Sequence, residues 1–130
     1  MTLRVVTLGI DADPSAAVVF YQNVLDVQRV ETKGDVTYLH TQTITLALFS
    51  AEGLRDYLGV EEAGGWGRNC LSVNVADVNE LNERFRAAVE SGATTLRSPA
   101  EAAWGGHIAT FCDPYGHVWE LVWNPRPFLD

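Results

Sequence analysis

Apolar and polar positions along this chain follow two periods, and the order of those periods occurs twice. Leu3–Ile10 alternates loosely and is rich in Val and Leu, a strand pattern. Asp11-Ala12-Asp13-Pro14-Ser15 interrupts it and opens a helix, because Asp13 can cap the first turn and Pro14 suits the first helical position. The helix runs to about Leu25, with Ala16, Val19, Phe20 and Val24 on one face. A short strand Val27–Thr32 follows, then a hairpin turn at Lys33-Gly34-Asp35. Strands Val36–His40 and Thr43–Phe49 complete a β-α-β-β-β order.

Ser50 to Arg68 connects this half to the next. Ala51–Leu58 has the makings of a short helix, and Gly59 to Arg68 is a glycine-rich loop. Trp66 stands out there, since a large aromatic in such a loop docks on something, a pocket or a neighbouring subunit. Asn69–Val75 is then a strand. Asp77-Val78-Asn79-Glu80 has capping-box spacing, and Val78, Leu81, Phe85, Ala88 and Val89 mark a helical face that Ser91-Gly92 ends. Thr94–Arg97 is a strand, Ser98–Ala103 a loop, and His107–Cys112 and Val118–Trp123 form a hairpin across Asp113-Pro114-Tyr115-Gly116. Asp113 can hydrogen-bond the backbone ahead of it, Pro114 pre-sets φ and Gly116 tolerates φ > 0. The order is again β-α-β-β-β. This internal repeat predicts one domain over residues 1–130, with module one at about 3–50, a linker at 51–68 and module two at about 69–125.

One residue in the last strand breaks its surroundings. Glu120 lies among Val118, Trp119, Leu121, Val122 and Trp123. Its carboxylate is either on a solvated face or held inside a pocket.

Composition narrows the function classes. A chain of 130 residues, 47% hydrophobic and 20% charged, suits one globular domain. Its apolar runs are too short to span a bilayer, and no signal-peptide pattern precedes the first strand, so a cytoplasmic protein is expected. Cys70 and Cys112 are too few for a disulfide framework and are expected to be free thiols. A net charge of −8 argues against nucleic acid and anionic membrane as partners.

Two βαβββ modules and a closing Asp113-Pro114-Tyr115-Gly116-His117-Val118-Trp119-Glu120 hairpin resemble the vicinal oxygen chelate superfamily, which includes glyoxalase I, the bleomycin-resistance proteins and the extradiol dioxygenases. Further landmarks are Leu8-Gly9-Ile10, Phe20-Tyr21 and Val24-Leu25 in module one, and Val73–Val75 with the helix from Asp77 in module two. The resemblance implies an α+β fold in which the two modules make an eight-stranded open barrel or cup with helices outside. It also implies a homodimer. Fold does not fix function, so the site has to be argued from its own residues.

Metal-using relatives place a ligand on the first and the last strand of each module. Those positions fall at Val5 and Cys70 for the first strands and at Ala47 and Glu120 for the last, with Ser72 or Asn74 taking the Cys70 place if the offset is two residues out. Val5 and Ala47 cannot coordinate, and a thiol with one carboxylate suits neither an oxygen-preferring ion nor a closed zinc site. No metal and no other cofactor are therefore expected. Of the three histidines, His117 falls in the turn, His40 ends a strand, and His107 is the candidate for the cavity wall. Glu120 and His107 are the candidate catalytic residues, and they act as an acid–base pair if both point inward. The expected ligand-binding set is Val5, Ala47, Cys70, Asn74, His107 and Glu120, with Trp66 and Trp104 as stacking aromatics. The function expected is binding of a small organic molecule in a largely apolar cup without the metal tetrad. The competing expectation is a lyase, isomerase or dioxygenase acting on a small substrate, either metal-free through Glu120 and His107 or with its metal ligands elsewhere.

Overall fold

The computed structural model describes residues 4–58, 67 and 69–125. They divide into two compact units between residues 65 and 66. The chain is α+β, and its elements in order are β1 (Val5–Ile10), α1 (Pro14–Val24), β2 (Arg29–Lys33), β3 (Val36–His40), β4 (Thr45–Ser50), α2 (Ala51–Leu58), β5 (Leu71–Asn74), α3 (Val78–Glu90), β6 (Thr94–Glu101), β7 (His107–Cys112) and β8 (Val118–Trp123). They form two four-stranded sheets of orders β1-β4-β3-β2 and β5-β8-β7-β6. In each sheet the module's first and last strands pair in parallel, and the other pairings are antiparallel. The βαβββ repeat seen in the sequence is thus a repeat of topology. No described helix is long and apolar enough to cross a membrane.

In module one, Asp13 caps α1 by accepting from the Ser15 backbone N–H at 3.1 Å, with Pro14 at the first helical position. The helix buries Ala17, Phe20, Tyr21 and Val24, whereas Val19 is 58% exposed. The buried stripe is therefore rotated from the expected Ala16–Val19 edge toward Tyr21. Leu8, Ile10, Leu39, Leu46 and Leu48 are the buried apolar strand residues on the α1 side of the sheet. Register makes that face continuous: Leu39 lies opposite Leu46, and Leu8 opposite Leu48. Strand β4 starts at Thr45 rather than Thr43, because the Thr41 hydroxyl donates to the Ile44 carbonyl at 2.6 Å and holds residues 41–44 as a turn. The β2–β3 hairpin turns at Gly34, whose φ of +60° favours glycine. Helix α2 lies against β1 and β4, with Ala51 and Leu54 beside Gly9.

In module two, the Asp77 carboxylate caps α3 by accepting from the Glu80 N–H at 2.8 Å. Leu81 and Ala88 are its buried residues, and Val89 is exposed. The sheet answers with Ala109, Phe111, Trp119 and Leu121, all buried. The Phe111 and Trp119 rings stack with centroids 6.4 Å apart. Strand β6 extends to Glu101, through residues expected as loop. It is an edge strand, so Pro99 removes no ladder bond that another strand needs. Two register shifts, between Thr95 and Arg97 and between Arg97 and Ala100, absorb the irregularity.

Asp113 does more than turn the β7–β8 hairpin. It is buried, its Oδ1 accepts from the Tyr115 and His117 N–H groups at 2.9 Å each, and its Oδ2 accepts from the Trp119 indole Nε1 at 2.9 Å. One carboxylate thus ties the turn to the core tryptophan.

Candidate functional site

Each sheet has one face against its helix and one turned the other way. In module two the second face carries the polar residues. Side chains alternate along a strand, so Glu120 leaves Trp119 and Leu121 on the α3 face and takes the opposite one. Its cross-strand neighbours are Thr110 on β7 and Ser72 on β5, and Thr110 in turn pairs with Arg97 on β6. A row runs across the sheet: Arg97, Thr110, Glu120, Ser72. Neighbours in such a row are about 4.8 Å apart. The Ser72 hydroxyl donates to Glu120 Oε1 at 2.8 Å.

Cys70 belongs to the same cluster. Burial pushes its thiol pKa up, the nearby Glu120 carboxylate adds to that, and the Ser72 hydroxyl works weakly against both. Since the thiolate is the reacting species, a raised pKa means less of it at any given pH. Alkylation of Cys70 by iodoacetamide at pH 8 is therefore expected to run slower than that of free cysteine, and the deficit should close as pH rises through the folded value. Glu120→Gln removes the nearby negative charge and should speed the reaction. Mass-spectrometric mapping of modified Cys70 checks both outcomes, and an unchanged rate in Glu120→Gln would separate the two groups.

Beyond Arg97 the β6–β7 region opens into a cavity of about 500 Å³, lined by Arg97, Ser98, Ala100, Glu101, Trp104 and Ile108 among others. Arg97 makes no ion pair or hydrogen bond among the described residues. Trp104 sits on the turn closed by the Ala102 N–H to Gly106 carbonyl bond of 2.7 Å, and it is 47% exposed. The cavity thus offers a cation, an aromatic face and an aliphatic floor in one place.

The residues singled out from sequence separate as follows. Glu120, Cys70 and Ser72 come together, and Asn74 lies two residues along β5 on the same face. Val5 and Cys70 each fall two residues short of the positions level with Ala47 and Glu120. Those positions are Thr7 in module one and Ser72 in module two. His107 does not join Glu120. It pairs with Trp123 across the strands, in the parity of Ala109 and Phe111, so it takes the α3 face. Its ring lies 5.9 Å from that of Trp123, and its Nδ1 is buried with no hydrogen-bond partner among the described residues. The expected Glu120–His107 acid–base pair would need both on one face, and they are on two. Trp66 lies outside the described residues. Arg97, Thr110 and Ile108 were missed by the sequence reading; counting back from the Asp113 turn would have placed the last two beside Glu120 and Val122.

Module one presents the Thr7 hydroxyl and the Ala47 methyl at the paired positions, and module two presents one carboxylate, one hydroxyl and a thiol. A tight site needs three or four well-placed donors. Among the described residues, no group of three or more His, Cys, Asp or Glu side chains is placed to hold an ion.

Comparison with known proteins agrees with the topology. A glyoxalase-related enzyme from Fulvimarina pelagi superposes with a TM-score of 0.85 at 27% identity, covering 96% of this chain and 89% of that one. At 19% identity, a glyoxalase/bleomycin resistance protein/dioxygenase family enzyme from Burkholderia phytofirmans PsJN gives a TM-score of 0.83, covering 95% of this chain and 98% of that one. Lactoylglutathione lyase from Agrobacterium tumefaciens, also at 19% identity, gives 0.69 with 95% and 93% covered. The last two likenesses bear on the fold alone. An uncharacterized protein of Mycobacterium tuberculosis is 32% identical over 44 residues, which is 34% of this chain and 26% of that protein. The chain thus spans well under a third of the length of the curated relatives it matches, at most 29%. The family model of the Glyoxalase/Bleomycin resistance protein/Dioxygenase superfamily matches residues 6–121, a span that reaches from β1 to β8, and this chain belongs to the superfamily.

Proposed function

We propose that this protein binds a small planar organic acid, without a metal, on the module-two sheet face. The observation that supports this reading is the cavity beside β6 and β7, lined by exposed Trp104, by Ile108 and by Arg97, which makes no ion pair or hydrogen bond among the described residues. Its volume of about 500 Å³ falls in the range of small-molecule sites, roughly 300–1,000 Å³. Arg97 supplies a planar fork that matches a carboxylate, Trp104 a face for a ring, and Ile108 an apolar floor. In a chain of net charge −8 with nine Lys and Arg residues, a cavity guanidinium without a partner among the described residues is a selective feature for an anion.

The test is a thermal-shift and tryptophan-fluorescence titration with benzoate, 2-naphthoate and their uncharged amides, since a ligand of the folded state raises apparent stability. The acids should stabilise and the amides should not. Arg97→Ala should weaken binding by about 10- to 100-fold, the worth of a charge-assisted hydrogen bond, and Trp104→Ala should remove the fluorescence response. No shift from any planar acid at millimolar concentration, or equal shifts from acids and amides, would overturn the reading.

A further inference from the structure

The face of the module-one sheet turned away from α1 carries a second polar array, on different strands and with different chemistry. His40 ends β3 and lies directly opposite Thr45, the first residue of β4. Glu31 on β2 is diagonal to it, opposite Tyr38. These positions put all three side chains on one face, and the structure joins them. His40 Nδ1 is 3.0 Å from Thr45 Oγ1, and His40 Nε2 is 3.1 Å from Glu31 Oε1. The Tyr38 ring lies near-parallel to the imidazole, with centroids 6.4 Å apart and an interplanar angle of 19°. The array is reachable from solvent: the His40 side chain is 26% exposed and that of Glu31 34%. Val5, opposite Thr45 in the register, is half exposed beside it and gives the face an apolar patch.

The direction of the hydrogen bonds follows from the carboxylate. Its hydrogen bond to His40, and then the charge of Lys33, lower the Glu31 pKa, so it is ionised at neutral pH and can only accept. Nε2 therefore carries the proton of the neutral imidazole. In that neutral form Nδ1 keeps its lone pair, and the Thr45 hydroxyl is placed to donate to it. A hydroxyl on a base that a third group orients is the arrangement that activates a side-chain nucleophile.

We propose that Thr45, His40 and Glu31 form a nucleophilic site that hydrolyses small activated esters through a threonyl-ester intermediate. Thr45 Oγ bonds to the ester carbonyl carbon as its proton passes to His40 Nδ1. The carbon–oxygen bond to the leaving group then breaks, and the leaving alkoxide takes that proton. Water attacks the threonyl ester, gives a proton to Nδ1, and releases the carboxylic acid as the proton returns to Thr45 Oγ. One ester and one water give one acid and one alcohol. Glu31 touches no substrate; it is a positioning residue that fixes the imidazole tautomer and steadies the imidazolium formed in each step.

The test uses the full chain with p-nitrophenyl acetate, reading p-nitrophenolate release and, after acid quench, the acetylated peptide by mass spectrometry. Wild type should show acetyl on Thr45. Thr45→Val, close to isosteric, should lose the adduct and fall to the rate of denatured protein, while Thr45→Ser should keep both adduct and turnover. His40→Gln should slow acylation by about a hundredfold or more, within the range for general bases. Glu31→Gln should lower kcat about tenfold with KM unchanged, and Glu31→Asp should restore part of it, a pattern that lost folding would not give. Far-UV circular dichroism of each variant identifies any that fails to fold, and Thr45→Ser then carries the decision. Acetyl found on lysine or His40 instead of Thr45, or a Thr45→Val rate equal to wild type, would overturn the proposal.

Discussion

Asp113→Ala is expected to cost about 3 kcal/mol, which for a domain of this size lowers the melting temperature by roughly 10 °C. The carboxylate is buried and accepts hydrogen bonds from the N–H groups of Tyr115 and His117 and from Trp119 Nε1. Removing it does not affect the three donors equally. The two backbone groups lie in a turn that water can reach, whereas Trp119 is 4% exposed, so its indole N–H lies out of reach of water. A buried donor left unmet costs about 1–3 kcal/mol by itself, and the loss of the turn's Asx contacts adds to it. Asp113→Asn separates charge from acceptor count. Either orientation of the amide sets its NH₂ against a donor, Trp119 Nε1 on one side or the two backbone N–H groups on the other, so Asn should recover only part of the loss. Thermal unfolding followed by tryptophan fluorescence measures both. An Asn variant as stable as wild type would show that the second carboxylate oxygen carries no weight.

Gly106→Ala is expected to cost about 2 kcal/mol, close to the middle of the range for overpacking. Gly106 has no positive φ to explain it; the reason is space. A Cβ there would fall within the Trp104 ring and against the Trp123 carbonyl oxygen. The ring can swing away, since Trp104 is half exposed, but the carbonyl belongs to β8 opposite β7 and moves only with the sheet. The two contributions can be separated by a double-mutant cycle with Trp104→Ala. The double mutant should regain the part due to the ring and keep the part due to the carbonyl. Trp104 also lines the proposed ligand cavity, so Gly106→Ala should weaken binding of a planar acid together with stability. Unchanged melting in Gly106→Ala would mean that β7 and β8 tolerate displacement at this end.

How much of this was legible in the sequence depended on how local the determining contacts are. Strands β3, β7 and β8 fell at their expected residues because each is bounded by turn chemistry written into the adjacent positions, Gly34-Asp35 and Asp113 to Gly116. The α1 cap at Asp13 and the α3 cap at Asp77 were legible for the same reason. Strand β6 was read too short because Ser98 and Pro99 suggest a loop, and only its position at the sheet edge lets it continue. The α1 face was misread by a residue, since the way a helix crosses its sheet decides whether Tyr21 or Val19 goes inside.

The site was legible in part. Glu120 was identified by its contrast with its neighbours, and its separation from His107 was recoverable, because strand parity across the hairpin assigns them to opposite faces. Arg97 was not recoverable: a register shift lies on each side of it, so a count from either end of the β6–β7 pairing crosses one. The Glu31–His40–Thr45 array needed two registers at once, that of the β2–β3 hairpin and that of β4 on β3. The sequence reading treated His40 as the end of a strand and left its partners out.

The strand order has a consequence for how each module comes off the ribosome. In both sheets the last strand made is an interior one: β4 lies between β1 and β3, and β8 between β5 and β7. Neither sheet can be built by adding strands outward as they emerge. A chain paused after β3 holds a β2–β3 hairpin and a β1 with no neighbour, and the sheet forms when β4 arrives to pair with both. The same holds at β8, where a proteolytic cut after Gly116 would remove the strand that joins β5 to the β6–β7 pair, and would leave two fragments of a sheet where loss of an edge strand would have left three joined strands. Quality control of this chain therefore acts on an all-or-none event twice, once for each module.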